Sequence, residues 1–149
     1  MVYGTAKDIV RNNLGDPKLN NNLLTFFMEQ GLREIETRGN YYWMVANKTF
    51  KLDGRPAYSL TGTGAQDLGL TTFKEARFLL QRAPGTTRNL PVKQKGIEEA
   101  ISTYATNATG EPKHFAVDNE TLYVFPPNPD KAYEMHLGYF AWTVMPSTG

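Results

Sequence analysis

The hydrophobic period of this chain changes at Val45, and that change separates what can be helix from what can be sheet. Upstream, Leu24, Met28, Gly31, Ile35, Gly39 and Tyr42 recur at steps of three and four, with Leu23, Phe27, Leu32 and Trp43 widening the stripe. This is the pattern of an amphipathic helix, and the spacing predicts one from Asn22 to Arg38. Asn20, Asn21 or Asn22 can accept from its orphan amides, and Gly39-Asn40 offers the left-handed residue that ends it. Glu29 with Arg33 and Glu34 with Arg38 are four-residue pairs with the acid first, so that face is solvated. A shorter helix precedes it in TAKDIVRNNLGD, where Thr5 caps, Ala6, Ile9, Val10 and Leu14 form the apolar face, and Gly15 and Pro17 end it. The short connection pairs the two as a helical hairpin. Tyr41, Tyr42, Trp43 and Met44 then arrive consecutively, which predicts an extended hinge with Tyr42 and Trp43 as buried structural anchors.

Beyond Val45, alternation takes over. Phe50 and Leu52, the turn Asp53-Gly54-Arg55-Pro56, and Tyr58 and Leu60 read as a hairpin. Thr61 to Thr72 has glycine and threonine but no period, so it reads as a surface loop that carries contacts and is ordered by a neighbour. Glu75 to Leu80 is a strand with Ala76, Phe78 and Leu80 inward, and Arg82 to Pro91 a second loop. Ile97 to Tyr104 is a two-turn helix, Lys113–Val117 and Thr121–Phe125 a second hairpin, and Tyr133 to Ala141 a last strand with Tyr133, Met135, Leu137 and Tyr139 on one side. Between the last two, Pro126-Pro127-Asn128-Pro129-Asp130 forces a turn. The fold class expected is therefore α+β, with an N-terminal helical hairpin packed on a mostly antiparallel sheet built from hairpins. Its 149 residues fit one domain, helical over about 5–44 and mostly β over about 45–145.

Composition removes several chemistries. There is no cysteine, hence no thiol catalysis, disulfide or cysteine-ligated zinc. The opening MVYGTAKDIVRNN carries charges where a signal peptide needs an apolar run, and no apolar span approaches the ~20 residues of a membrane helix. His114 and His136 have no third spaced ligand, which gives no expected metal and no cofactor. Glu98 and Glu99 point apart on one helix, as do Glu34 and Glu36 on another, so no carboxylate pair is set for acid and base work, and an enzyme is not expected. Sixteen basic against fifteen acidic residues leave a net charge of +1, so any polyanion-binding role must be local. The local excess lies between positions 74 and 95, where Lys74, Arg77, Arg82, Arg88, Lys93 and Lys95 oppose only Glu75, for +5. It is either a solvated strand and loop or a surface facing an acidic partner or nucleic acid.

The order of pieces resembles a known family. The capped helix TAKDIVRNNLGD, the helix ending LREIETRGNYYWM, a Thr-Phe-Lys-Leu strand answered by AYSL, and GEPKHFAVDNETLYVFPPNPDKAYEMHLGYF together are similar to the head-to-tail adaptor, or connector, proteins of tailed bacteriophages. The resemblance spans about Thr5 to Phe140. It departs where longer family members continue into further helices, whereas this chain ends at Met145-Pro146-Ser147-Thr148-Gly149. It implies a non-catalytic ring of about twelve copies in the virion neck, assembled in the bacterial host cytoplasm. The implied partners are copies of the chain itself, the portal protein, a tail or nozzle protein, and double-stranded DNA that passes without sequence recognition, with no membrane. Arg82, Arg88, Lys93 and Lys95 are the residues expected at the subunit or portal interface. The alternative class is a nucleic-acid-binding module using residues 74–95 with Phe78, Tyr123 or Tyr139 as stacking surfaces. A hydrolase or sugar-binding tail component is a third class, for which converging polar groups are not identified.

Overall fold

Asn21–Thr37 forms the long helix, α1, one residue off the span that its period predicts. The computed structural model describes residues 21–144, so the expected first helix and the pairing of the two lie outside the described residues. Two compact units divide the chain, one containing α1 together with residues 142–144, the other spanning Trp43–Ala141. In the first unit the Glu36 side chain is buried at 1% exposure, and its carboxylate accepts from the Thr143 backbone N–H at 2.9 Å and the Thr143 hydroxyl at 2.6 Å. The Arg33 guanidinium sits 4.5 Å over the Trp142 ring. Two charged helix residues thus hold the segment that leaves the last strand, a role that solvated-face reasoning did not assign to either of them.

The Trp43–Ala141 unit is a seven-stranded mixed sheet in the order β1-β9-β3-β4-β6-β7-β2. Its strands are β1 (Val45–Lys51), β2 (Ala57–Ser59), β3 (Phe73–Arg82), β4 (Leu90–Gln94), β6 (His114–Asp118), β7 (Thr121–Phe125) and β9 (Glu134–Ala141). Two-residue strands β5 (Thr109–Gly110) and β8 (Asn128–Pro129) pair separately. Helix α2, Ile97–Thr103, connects β4 to β6, and that crossover makes those two strands parallel. The sheet curls enough that its two outermost strands share a core: Phe50 on β1 and Tyr58 on β2 have ring centroids 5.5 Å apart. Leu60, Leu79, Phe115, Leu122, Val124, Met135 and Leu137 fill the interior at 1% exposure or less. On the outside, α2 lays Ala100 against Ala116 and Phe125.

The expected fold class is overturned. The chain is mostly β, organised as one curled mixed sheet and not as a helical hairpin packed on a sheet of hairpins. The reason is that the two-residue period runs through most of the chain after Val45, whereas Asn21–Thr37 and the two turns of α2 are its only described α-helices. The β1–β2 hairpin is also overturned, because β1 pairs β9 and β2 pairs β7. The Asp53–Pro56 turn carries the chain from one sheet edge to the other. Its alternating flanks are the same for a hairpin and for an edge-to-edge step, and only the pairing tells them apart. By contrast, β6 and β7 form the expected hairpin, with Asn119 at φ 49° and Glu120 at φ 61° making a two-residue primed turn.

Two further expectations change. Strand β3 carries an extra residue at Lys74 and another at Arg77, where its register against β9 slips, so Phe73, Ala76, Leu79 and Gln81 face inward while Phe78 and Leu80 face out. Loop 61–72 is ordered by its own chain: Leu68 N–H donates to Ser59 O at 3.0 Å, Leu70 N–H to Leu60 O at 2.7 Å and Gly69 N–H to Gly62 O at 2.9 Å. Leu68 and Leu70 are buried in the core.

Candidate assembly surface

Tyr42–Met44 is a 3-10 turn, which sends three successive side chains in three directions about 120° apart. Only one of the three can point inward, and it is Met44, at 2% exposure. Tyr42 is 87% exposed and Trp43 45% exposed, so the expectation that both are buried anchors is overturned.

The four basic residues expected at an interface do not converge on one point. Arg82 ends β3 on its outward face and is ion-paired to Glu134, its register partner on β9. Arg88 lies in the β3–β4 connection, where residues 84–90 are all exposed and Gly85 takes φ 79° for the tight turn. Lys93 is exposed on β4, and Lys95, beyond its end, lies 3.8 Å from Glu99 on α2. What the four share is a half of the sheet. With Lys48 and Lys51 on β1 and Lys74 and Arg77 on β3, they put eight cations on β1, β9, β3, β4 and their connections, against Glu75 and Glu134.

The other half has the opposite sign. Glu98 and Glu99 on α2, Glu111 before β6, Asp118 and Glu120 at the β6–β7 turn, and Asp130 are all exposed, and only Lys113 offsets them over residues 96–130, for −5. From the sequence, Glu98 and Glu99 are weighed only as a carboxylate pair, and these acids are not grouped as a surface. The signal was present, since the +5 run ends at Lys95 and the −5 run begins at Glu98. Strand order then converts that boundary in sequence into a boundary in space, between β4 and β6. At the boundary the His114 ring lies tilted at 53° to that of Tyr104, whose hydroxyl meets its Nδ1. Burial, then the charges of Lys95 and Lys93, hold the imidazole below its ordinary pKa, which favours its neutral form.

On the outward face of β9 and β3, Phe78 lies flat across Gly138, where an added Cβ would come 2.2 Å from a ring carbon. Its ring is 5.7 Å from the His136 ring, and Arg77 stands 5.5 Å from Phe78 and 5.4 Å from Phe140. His136 and His114 are on β9 and β6, with β3 and β4 between them, so they are not on neighbouring strands. Among the described residues no group of three or more His, Asp or Glu stands close enough to hold a metal ion.

The turn that joins the sheet edges is stapled from within. Arg55 Nε donates to both oxygens of Asp53 at 3.0 Å, and Arg55 Nη2 to Gln66 O at 2.9 Å. The Tyr58 hydroxyl donates to Asp53 Oδ1 at 2.9 Å and accepts from the Asp53 backbone N–H at 3.0 Å. The Arg55 contact lowers the Asp53 pKa, while burial, with the nearby carboxylate, pushes Tyr58 up to about 12. No known family profile matches the chain, and no curated protein matches it.

Proposed function

We propose that this chain is a structural subunit of a ring, the head-to-tail adaptor of a tailed-phage neck, standing between portal and tail around the passage for DNA. The family enters through the resemblance of its helix exit and its strand-turn-strand segment. The observation that carries the ring is the division of charge. A basic half and an acidic half on one Trp43–Ala141 unit are self-complementary only when the basic half of one copy meets the acidic half of the next. Paired both ways at once, the two halves would close a two-fold dimer; paired each with a different neighbour, they make a heterologous contact that closes as a ring, and the ring is the arrangement proposed. Exposed Arg88 and the exposed Glu98, Glu99, Asp118 and Glu120 are its charged members. Sedimentation velocity of the full chain tests it: a large closed species at low salt that dissociates as salt rises is expected, and a monomer or a dimer throughout a wide concentration range at low salt refutes it.

A second reading rests on the outward face, where Arg77 overlies Phe78 and Phe140, a cation beside aromatic rings of the kind that binds single strands. A DNA affinity series in salt separates the two. Arg77→Ala lowering affinity without altering sedimentation favours nucleic-acid binding, and Arg88→Glu altering sedimentation without altering affinity favours the ring.

A further inference from the structure

Strand β1 is the one long outermost strand of the sheet, and nothing hydrogen-bonds to its free side among the described residues. The opposite edge is treated differently, since Leu68 and Leu70 donate backbone bonds to Ser59 and Leu60 at the end of β2. Beside β1 runs a groove of about 290 Å³ with Phe50, Tyr58 and Leu68 among its apolar lining and Lys48 and Lys51 along the strand. That volume falls just under the range of small-molecule sites, and the four consecutive β1 residues Lys48 to Lys51 line it. Lys48 lies between Ala46 and Phe50, both packed on the core, so its half-buried side chain shares their inward face, whereas exposed Lys51 is on the other face. Neither Lys48 nor Lys51 has an ion-pair partner among the described residues, whereas Asp53 is taken by Arg55 and Tyr58, and Asp67 Oδ2 by the Gly64 N–H at 3.1 Å.

We infer that the free edge of β1 is a docking site for an extended acidic segment of a partner protein, which adds a strand beside Val45–Lys51 and sets a carboxylate against Lys48. The backbone of β1 supplies the hydrogen bonds and the groove the side-chain selection, the usual division in strand addition. Lys48 decides the occupant. A second copy paired antiparallel about Lys48 would oppose like charges across the new ladder, which is destabilising. An acidic strand meets no such penalty and neutralises Lys48 on the inward face. This inference does not depend on the ring reading, because its contacts belong to one subunit and its test reads no assembly.

The probes are two capped heptapeptides of alternating valine and glutamate or valine and lysine, titrated into the full chain by fluorescence anisotropy with hydrogen exchange followed over residues 45–51. The expected result is saturable binding of the glutamate peptide, protection of β1 amides, and a loss of about tenfold in affinity on Lys48→Glu, equivalent to ~1.4 kcal/mol. The Lys48→Glu variant is expected to gain binding of the lysine peptide, which separates lost recognition from lost folding. Equal binding of both peptides, no binding, or protection elsewhere overturns the inference. So does protection of β1 that grows with protein concentration without peptide, which would make the occupant a second copy. A single-stranded oligonucleotide that displaces the glutamate peptide and protects the same amides would make it nucleic acid, and also overturns it.

Discussion

A hydrogen atom at position 138 keeps the outward face of β9 flat. The Phe78 ring occupies the space that any side chain at Gly138 would need, since a Cβ there would sit 2.2 to 2.7 Å from three ring carbons. Gly138→Val therefore has to expel Phe78, and overpacking of this kind costs about 1–3 kcal/mol. Chemical denaturation is expected to show that loss, and Phe78→Ala in the same chain to recover part of it, because the two residues share one volume. This contact was not legible in the sequence. Phe78 reads as inward by simple alternation from Ala76, and only the extra residue at Arg77 turns it outward to meet Gly138. The same limit applies at Tyr42 and Trp43. Aromatic composition predicts burial, but a 3-10 turn has room inward for one side chain of three, and the flexible Met44 takes it.

Elements whose evidence is local were legible, and elements whose pairing is distant were not. The period of α1 and the Asp118-Asn119-Glu120 turn specify themselves within a few residues, and both stand where they were read. The β1–β2 step and the phase of β3 depend on β9, some 50 residues or more further along the chain, as the Lys51 and Arg82 pairings with Glu134 show. No local pattern encodes such partners. The basic members of the candidate surface were legible from composition, but their grouping with β1, and their opposition to the acids of residues 96–130, came from strand order. At the β6–β7 turn a testable strain remains, because Glu120 adopts φ 61°, a region that costs a residue with a side chain about 1 kcal/mol. Glu120→Gly removes that strain and also removes the bond from the Thr61 hydroxyl to Glu120 Oε2 at 3.0 Å, an exposed contact at the low end of about 0.5–1.5 kcal/mol. The expected net effect is a gain of a few tenths of a kcal/mol, seen as a small rise in melting temperature. A fall would mean that the Thr61 bond, and not the turn, holds this end of the hairpin.

At the scale of the whole molecule, a net charge of +1 conceals two large opposite charges, and what matters for association is their separation and not their sum. Exposed pairs at a protein rim contribute little individually, but several acting together set register and orientation and exclude wrong partners. If the basic half of one copy meets the acidic half of the next, Arg88→Glu breaks one side of the contact and Glu98→Lys with Glu99→Lys breaks the other. Each variant alone is expected to sediment as smaller species at a salt concentration where the wild type is assembled. Both sets of positions are exposed, so the fold of the subunit is expected to survive, with Arg88→Glu changing stability by about 0.5 kcal/mol or less and the α2 pair costing about 1–2 kcal/mol, because it reverses two first-turn charges and the Lys95–Glu99 pair. Mixing the two variants supplies the decisive comparison, because a heterologous contact then has two kinds of junction. A junction that brings the new carboxylate at position 88 of one variant to the new ammonium groups on α2 of the other restores attraction with its sign reversed, while the alternate junction keeps the wild-type pairing. A mixture that recovers assembly which neither variant shows alone supports the charge division as the ring contact. Recovery that is absent, with both variants folded, places the subunit contact elsewhere on the chain.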